Sequence, residues 1–233
     1  MKEDSPLATS EHDLRLEVGH RWRFLSSYLR SPNVVGAIAP SSRRLAVAIC
    51  APFQTRERPA AVLEVGAGTG AITRHLGTLL GTEDQLDICE ISDEFADILE
   101  RDVLSLPQFV GPVREGRVRL LRQPVQEVSA TGKYDYVLSG LPLTAFTLQD
   151  VEEIYAVIRR SMKASGVFTY YEYSALRLLS VMFSLGSRRT RIHGVSAFLS
   201  KQIREHEFER HLVVRNVPPA HVRHLCFDGH GAT

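Results

Sequence analysis

Residues 62–71 read VLEVGAGTGA: an apolar run stops on Gly66, and Gly68 and Gly70 follow at alternate positions before a helix-forming run. Glycine accepts left-handed backbone angles and lets a ligand approach the main chain closely. Between a strand and a helix, that spacing suits a nucleotide-type cofactor. It satisfies G-x-G-x-x-G/A loosely, with Ala71 in the last place. The Lys-Ser/Thr pair of a phosphate-binding P-loop is absent. Glu64 stands two positions before Gly66, and Glu90 ends the next strand-like run, QLDICE. A carboxylate at that second position can accept both hydroxyls of a ribose. The plainer readings are a glycine turn without a ligand, and a surface or helix-capping acid.

Residues 134–143 read YDYVLSGLPL. Tyr134, Tyr136 and Leu138 alternate with Asp135 and Val137, as in a strand. The run then meets Ser139, Gly140, Leu141 and Pro142, and a glycine followed by a proline cannot continue a ladder. Ligands of open α/β sheets sit beyond the carboxyl ends of the strands, so residues 139–142 form the second half of a candidate site. His221 and His224 invite a metal reading, but residues three apart on a strand face opposite sides. His193 lies in a basic stretch, where solvent or a phosphate is its partner.

The elements that must position these groups can be read along the chain. Over residues 13–30, Leu14, Val18, Trp22, Leu25 and Leu29 share a helical face widened by Phe24 and Tyr28, with Arg23 and Arg30 opposite. Residues 36–42, GAIAPSS, read as a loop in which Ser41 or Ser42 caps a helix running to residue 53. Strands are expected at 60–65, 85–91, 117–121, 134–139 and 166–174. Helices are expected over 71–80, 93–106, 148–162, 175–185 and 195–205, with the basic stretch SRRTRIHG before the last. Alternating strands and helices imply a mostly parallel sheet. The runs at 208–217 and 220–227 are joined only by Pro218 and Pro219, too short for a helical crossover, so they should pair antiparallel.

Composition bounds the rest. The 233 residues carry 28 Lys+Arg against 27 Asp+Glu, a net charge of +1, which argues against a dedicated nucleic-acid binder. Three widely spaced cysteines, Cys50, Cys89 and Cys226, suit a reduced compartment without disulfides or a thiolate zinc site. The polar first dozen residues are not a secretory signal, and no run reaches the ~18 apolar residues that span a bilayer.

The E-x-G-x-G-x-G pattern of residues 64–70, with Glu90 after the second strand, resembles the first motif of class I S-adenosylmethionine-dependent methyltransferases. The resemblance implies an α/β, Rossmann-like class I methyltransferase fold: a mostly parallel seven-stranded sheet, a C-terminal antiparallel pair and an N-terminal amphipathic helix. It implies S-adenosyl-L-methionine as cofactor. Glu64, Gly66, Ala67, Gly68 and Gly70 then approach its methionine half, Glu90 holds the ribose and Ile91 lies beside the adenine. After the third strand the family usually has an acid that touches the adenine amine. Here Pro124 stands in that place, leaving Gln123 or Gln126 to supply the hydrogen bond.

At SGLPL the chain departs from the methyltransferases that act on bases, which carry Asn or Asp, a proline pair and an aromatic ring. Leu143 offers no ring to stack on a base. SGLPL resembles instead the bacterial phospholipid N-methyltransferases, as do residues 24–46, FLSSYLRSPNVVGAIAPSSRRLA, and 215–225, RNVPPAHVRHL. This implies a membrane aminolipid substrate, with phosphatidylethanolamine first. Ser139 (also beside the cofactor) and the Gly140 carbonyl then hold the amine, while Leu141 and Pro142 shape the slot. Tyr170, Tyr171 or Tyr173 lines it, Tyr171 being preferred, and Glu172 is a surface acid or proton acceptor. Trp22, Phe24, Tyr28, Arg30, Ser41 and Ser42 would contact membrane or substrate. An amphipathic helix suits an interface, and each arginine near an anionic leaflet contributes ~1 kcal/mol. The expected organisation is a disordered lead over 1–12, a helical cover and membrane-interface element over 13–57, the methyltransferase domain over 58–227 and a tail over 228–233. The expected location is cytoplasmic, peripheral at the inner face of the membrane, with no nucleic acid and no metal. The rivals are an RNA adenine N6-dimethyltransferase, a methyltransferase of small soluble amines, and a non-catalytic cofactor-binding scaffold at the membrane.

Overall fold

The computed structural model describes residues 43–173, 187–214, 216 and 219–228. The expectations for residues 1–42, with Trp22, Phe24, Tyr28, Arg30, Ser41 and Ser42, for the helix over 175–185, and for the tail beyond 228 lie outside the described residues.

Seven strands form one sheet: β1 (Ala61–Val65), β2 (Gln85–Cys89), β3 (Val118–Leu121), β4 (Tyr134–Ser139), β5 (Met162–Tyr173), β6 (Glu207–Val213) and β7 (Ala220–Cys226). Their order is β3-β2-β1-β4-β5-β7-β6. The first five pair in parallel, and β7 is antiparallel to both β5 and β6. The expected mostly parallel sheet with a closing antiparallel pair is therefore present. The chain moves outward from β1 through β2 to β3, then returns to β4 on the other side of β1. Between β1 and β4 the strand order reverses, the point beyond whose carboxyl ends open α/β sheets bind ligands.

Alternation along the strands divides the core. Val62 on β1, Leu138 on β4, Tyr171 and Tyr173 on β5, and Val222 on β7 face one layer, with Leu45 and Ile49 of α1 (Arg43–Ile49), Phe53 of α2 (Ala51–Gln54) and Leu76 of α3 (Ala71–Leu76). Leu63, Val65, Val137, Phe168 and Tyr170 face the other. A fully buried acid links three strands. Asp87 on β2 accepts hydrogen bonds from Arg119 on β3 at 2.7 Å, from Lys133 at 2.6 Å and from the Tyr134 hydroxyl on β4 at 2.7 Å. Burial alone would raise its carboxyl; these partners outweigh it and hold it below the usual range.

The helices show where local pattern and structure part. α4 (Asp93–Leu99) begins at Ser92, whose hydroxyl accepts the Phe95 amide, and Asp93 and Glu94 lie in its first turn as expected. It tightens no further as an α-helix but widens into a π-turn over Glu100–Leu104. α5 (Pro107–Arg114) is a helix where the sequence suggests none. Pro107 occupies its first turn, where the missing amide costs nothing, but Pro112 inside it masks the helical signal. α3 stops at Leu76 instead of running to residue 80. α6 (Leu148–Ser161) opens on a capping box in which Thr147 and Asp150 satisfy each other's amides. α7 (Ser187–His206) begins eight residues before the expected start and absorbs the basic stretch. Val195 and Leu199 are buried in its later part, and the charged run SRRTR that opens it carries no apolar period, which is why periodicity found only the later part. All three cysteines are free.

Candidate active site

The glycine turn and the SGLP turn interlock at the ends of β1 and β4. The Gly140 amide donates to the Val65 carbonyl at 2.8 Å, and the Gly66 amide to the Cys89 carbonyl at 2.8 Å. A β-carbon on Gly140 would collide with the Gly66 carbonyl oxygen, and one on Gly66 with the Leu141 side chain. These two glycines are therefore required by close approach of the two turns. Gly68 differs: its φ is +56° and nothing lies within 4 Å of where a side chain would begin. That open space above a left-handed glycine leaves room for a ligand against the main chain.

Glu90 faces this space. Its Oε2 accepts the Gly68 amide and its Oε1 the Ser92 amide, each at 2.8 Å. Burial raises the carboxyl, and the backbone hydrogen bonds counter it. Each oxygen keeps a further lone pair, so a pair of hydroxyls can still be accepted. Glu64 is completely buried: Oε2 accepts the Thr73 hydroxyl at 2.8 Å, while Oε1 has no partner. Burial pushes its pKa up to about 8, the Thr73 bond acting against this and the charge of Glu90 adding to it. Gln126, on the 3-10 turn Val125–Glu127 after β3, has both amide atoms buried without partners. Buried polar groups are rarely left unpaired without a functional reason. These orphans, the cradle at Gly68 and the paired acceptors of Glu90 fit a cofactor with a cationic end, a ribose and an adenine. Of the two glutamines left open by the sequence, Gln126 has the unmet need. The Gln123 carbonyl accepts from Cys89 Sγ. Ala67 is buried in the turn, and Ile91 is half-buried at the exit of β2.

On the β4 side, Tyr171 points its hydroxyl at the Gly140 carbonyl at 3.4 Å and packs edge-on against Tyr173, with centroids 5.2 Å apart. Tyr170 faces the opposite layer, stacked on Phe168 and turned away from Gly140. Ser139 is fully buried, and its Oγ accepts the Leu141 amide at 3.2 Å, so it first shapes the turn. Leu141 and Pro142 are half-buried beside it, whereas Leu143 is buried in the second layer. Glu172 is not the surface acid expected from the sequence. It is buried and paired with Arg223 at 3.2 Å, which also binds Glu207 at 2.6 Å. Strand alternation explains both corrections: only every second residue of TYYEY faces the Gly140 side. Thr73, the partner of Glu64, escaped sequence reasoning because a threonine nine residues away on the next helix carries no motif.

Residues 62–166 match the family model for a methyltransferase domain. The ornithine lipid N-methyltransferase of Singulisphaera acidiphila is 28% identical over 145 residues, spanning 62% of this chain and 73% of that protein. Among solved structures, the Burkholderia thailandensis 1,6-didemethyltoxoflavin-N1-methyltransferase, with S-adenosylhomocysteine bound, aligns over 96% of this chain and 92% of its own at a TM-score of 0.56 and 20% identity. An S-adenosylmethionine-dependent methyltransferase of Aquifex aeolicus aligns over 85% of this chain and 95% of its own, at a TM-score of 0.50 and 12% identity. Residues 62–166 thus form a methyltransferase domain on a sheet with the class I, Rossmann-like strand arrangement, which supports S-adenosylmethionine as its cofactor.

Proposed function

We propose that the chain moves a methyl group from S-adenosyl-L-methionine to the amine of a membrane aminolipid. The observation that carries this is the end of β4: a Gly140 carbonyl that accepts the Tyr171 hydroxyl, followed by half-buried, apolar Leu141 and Pro142, with Leu143 where base methylators carry an aromatic ring. An acceptor carbonyl with apolar walls suits a small amine at the end of a long apolar molecule better than a planar base. The similarity to an ornithine lipid N-methyltransferase supports the same class. Ornithine lipid and phosphatidylethanolamine both present a primary amine, and both are candidate substrates.

When bound, the cofactor supplies an electrophilic methyl group on a sulfonium. Glu90 would accept its ribose hydroxyls, and Gln126 and Glu64 Oε1 would pair with its polar ends. The Gly140 carbonyl accepts an N–H of the substrate and turns the nitrogen lone pair toward the methyl, a positioning task. Desolvation beside apolar Leu141 and Pro142 lowers the amine's pKa, so it gives its proton to solvent water before transfer. Access to the lipid is assigned to the apolar, arginine-flanked pattern of residues 13–30. Among the described residues, no helix is long and apolar enough to cross a membrane.

The test is transfer of labelled methyl into vesicles containing phosphatidylethanolamine or ornithine lipid, with and without anionic lipid, beside RNA and soluble amines. Label in either aminolipid, increased by anionic lipid, is expected. Label in RNA or only in soluble amines would overturn the proposal.

A further inference from the structure

The closing hairpin holds a cluster that methyl transfer does not use. A register shift between Glu207 and Glu209 sets Glu209 directly opposite His224, and a bulge of this kind re-aims side chains. His211, two residues on, shares the face of Glu209 and lies opposite Val222, next but one to His224. One ligand-type atom from each of Glu209, His211 and His224 lies within 4.8 Å of the others. His224 is fully buried. Its Nδ1 is engaged by the Thr169 hydroxyl of β5 at 2.8 Å, and its Nε2 is buried without a partner. His211 Nε2 lies 3.1 Å from a Glu209 carboxylate oxygen but makes no hydrogen bond. Two ligands bound at ~2.0–2.1 Å around a tetrahedral ion sit roughly 3.3 Å apart. The orphan Nε2 of His224 and the His211–Glu209 imidazole–carboxylate pair at 3.1 Å are donor atoms that one shared divalent ion would satisfy together.

We infer that Glu209, His211 and His224 form a binding site for a divalent transition-metal ion, tying β6 to β7. Two imidazoles and one carboxylate, without thiolate, suit zinc, cobalt or nickel rather than calcium or magnesium. Thr169 plays the outer partner that fixes a ligating ring and its tautomer. Through it the ion also braces β5, two residues from Tyr171. Glu209 is exposed, which leaves a coordination position open to water. The sequence hides this site because the eye pairs His221 with His224. Those two do face opposite ways, and the true neighbour comes from the adjacent strand.

The inference is independent of the methyl acceptor. Its test is titration of the chelator-treated full chain with zinc, and separately with cobalt, reading bound metal per chain after dialysis, cobalt absorption bands and melting temperature. One ion per chain, visible cobalt bands and a raised melting temperature are expected. His211→Ala and Glu209→Gln should each weaken binding by about tenfold or more, and Thr169→Val by about tenfold. His221→Ala, on the opposite face, should bind as the wild type does. Both His211 and Glu209 lie on an edge strand, and metal-free melting of each variant checks that the fold is kept. Should His211→Ala melt early, the exposed Glu209→Gln carries the test. No uptake by the wild type, or equal affinity in the wild type and in Glu209→Gln, would overturn the site.

Discussion

Two acids at the strand ends differ in what they can do, and environment sets the difference. Glu90 is satisfied by the Gly68 and Ser92 amides and still has lone pairs for a ligand. Replacing it with alanine removes a charge-assisted acceptor for the ribose, and one such hydrogen bond is worth ~1.5–3 kcal/mol. Glu90→Ala should weaken S-adenosylmethionine binding by about tenfold to a hundredfold, as read by calorimetry. Glu64 is buried with one oxygen unpaired, and its pKa is raised from 4.5 to about 8. In the folded chain it keeps a proton that the unfolded chain has lost. The stability this proton provides is complete below about pH 4.5 and is lost as pH rises through about 8. Denaturant unfolding should therefore show the wild type losing ground to Glu64→Gln over that window, and equal slopes would contradict the buried, proton-holding state. Both acids were legible as motif residues. Their opposite states were not, because burial and hydrogen bonding come from Thr73, Ser92 and the turns around them.

At the scale of elements, the site depends on two turns pressed together. Gly140→Ala drives a β-carbon into the Gly66 carbonyl and should cost about 1–3 kcal/mol while sharply lowering turnover. Gly68→Ala meets no neighbour, only its positive φ, and should cost ~1–2 kcal/mol. Its larger effect should fall on cofactor affinity. Urea unfolding and cofactor titration of the two variants separate the packing glycine from the ligand-facing one. The strands were readable because apolar runs and turn residues coincide, from VLEV before Gly66 to VLS before Gly140. The helices were less so. α5 hides behind Pro112, and the first part of α7 lacks apolar periodicity. Tyr170 and Glu172 were misplaced because a stretch of consecutive tyrosines does not show which members face the site until the pairing with β7 fixes the face.

For the molecule as a whole, the strand order reverses where the two motifs lie, between β1 and β4. The mostly parallel sheet was foreseeable from alternating strands and helices, and the antiparallel ending from the short Pro218–Pro219 link. What no single-strand pattern could show was the register of β6 on β7, which gathers Glu209, His211 and His224. Reaching a lipid requires surface affinity, which the account assigns to residues 13–30. Trp22→Ala should weaken binding to anionic vesicles severalfold and leave S-adenosylmethionine affinity unchanged. Vesicle sedimentation beside cofactor calorimetry checks both halves of that statement.

The most direct test of lipid-amine methylation is mass spectrometry of vesicle lipids after incubation with the full chain and deuterated-methyl S-adenosylmethionine. The heavy methyl is expected on the headgroup nitrogen of phosphatidylethanolamine or ornithine lipid, and is expected to be lost in Gly140→Ala. Heavy methyl absent from every lipid amine, with the cofactor consumed on another acceptor, would contradict it.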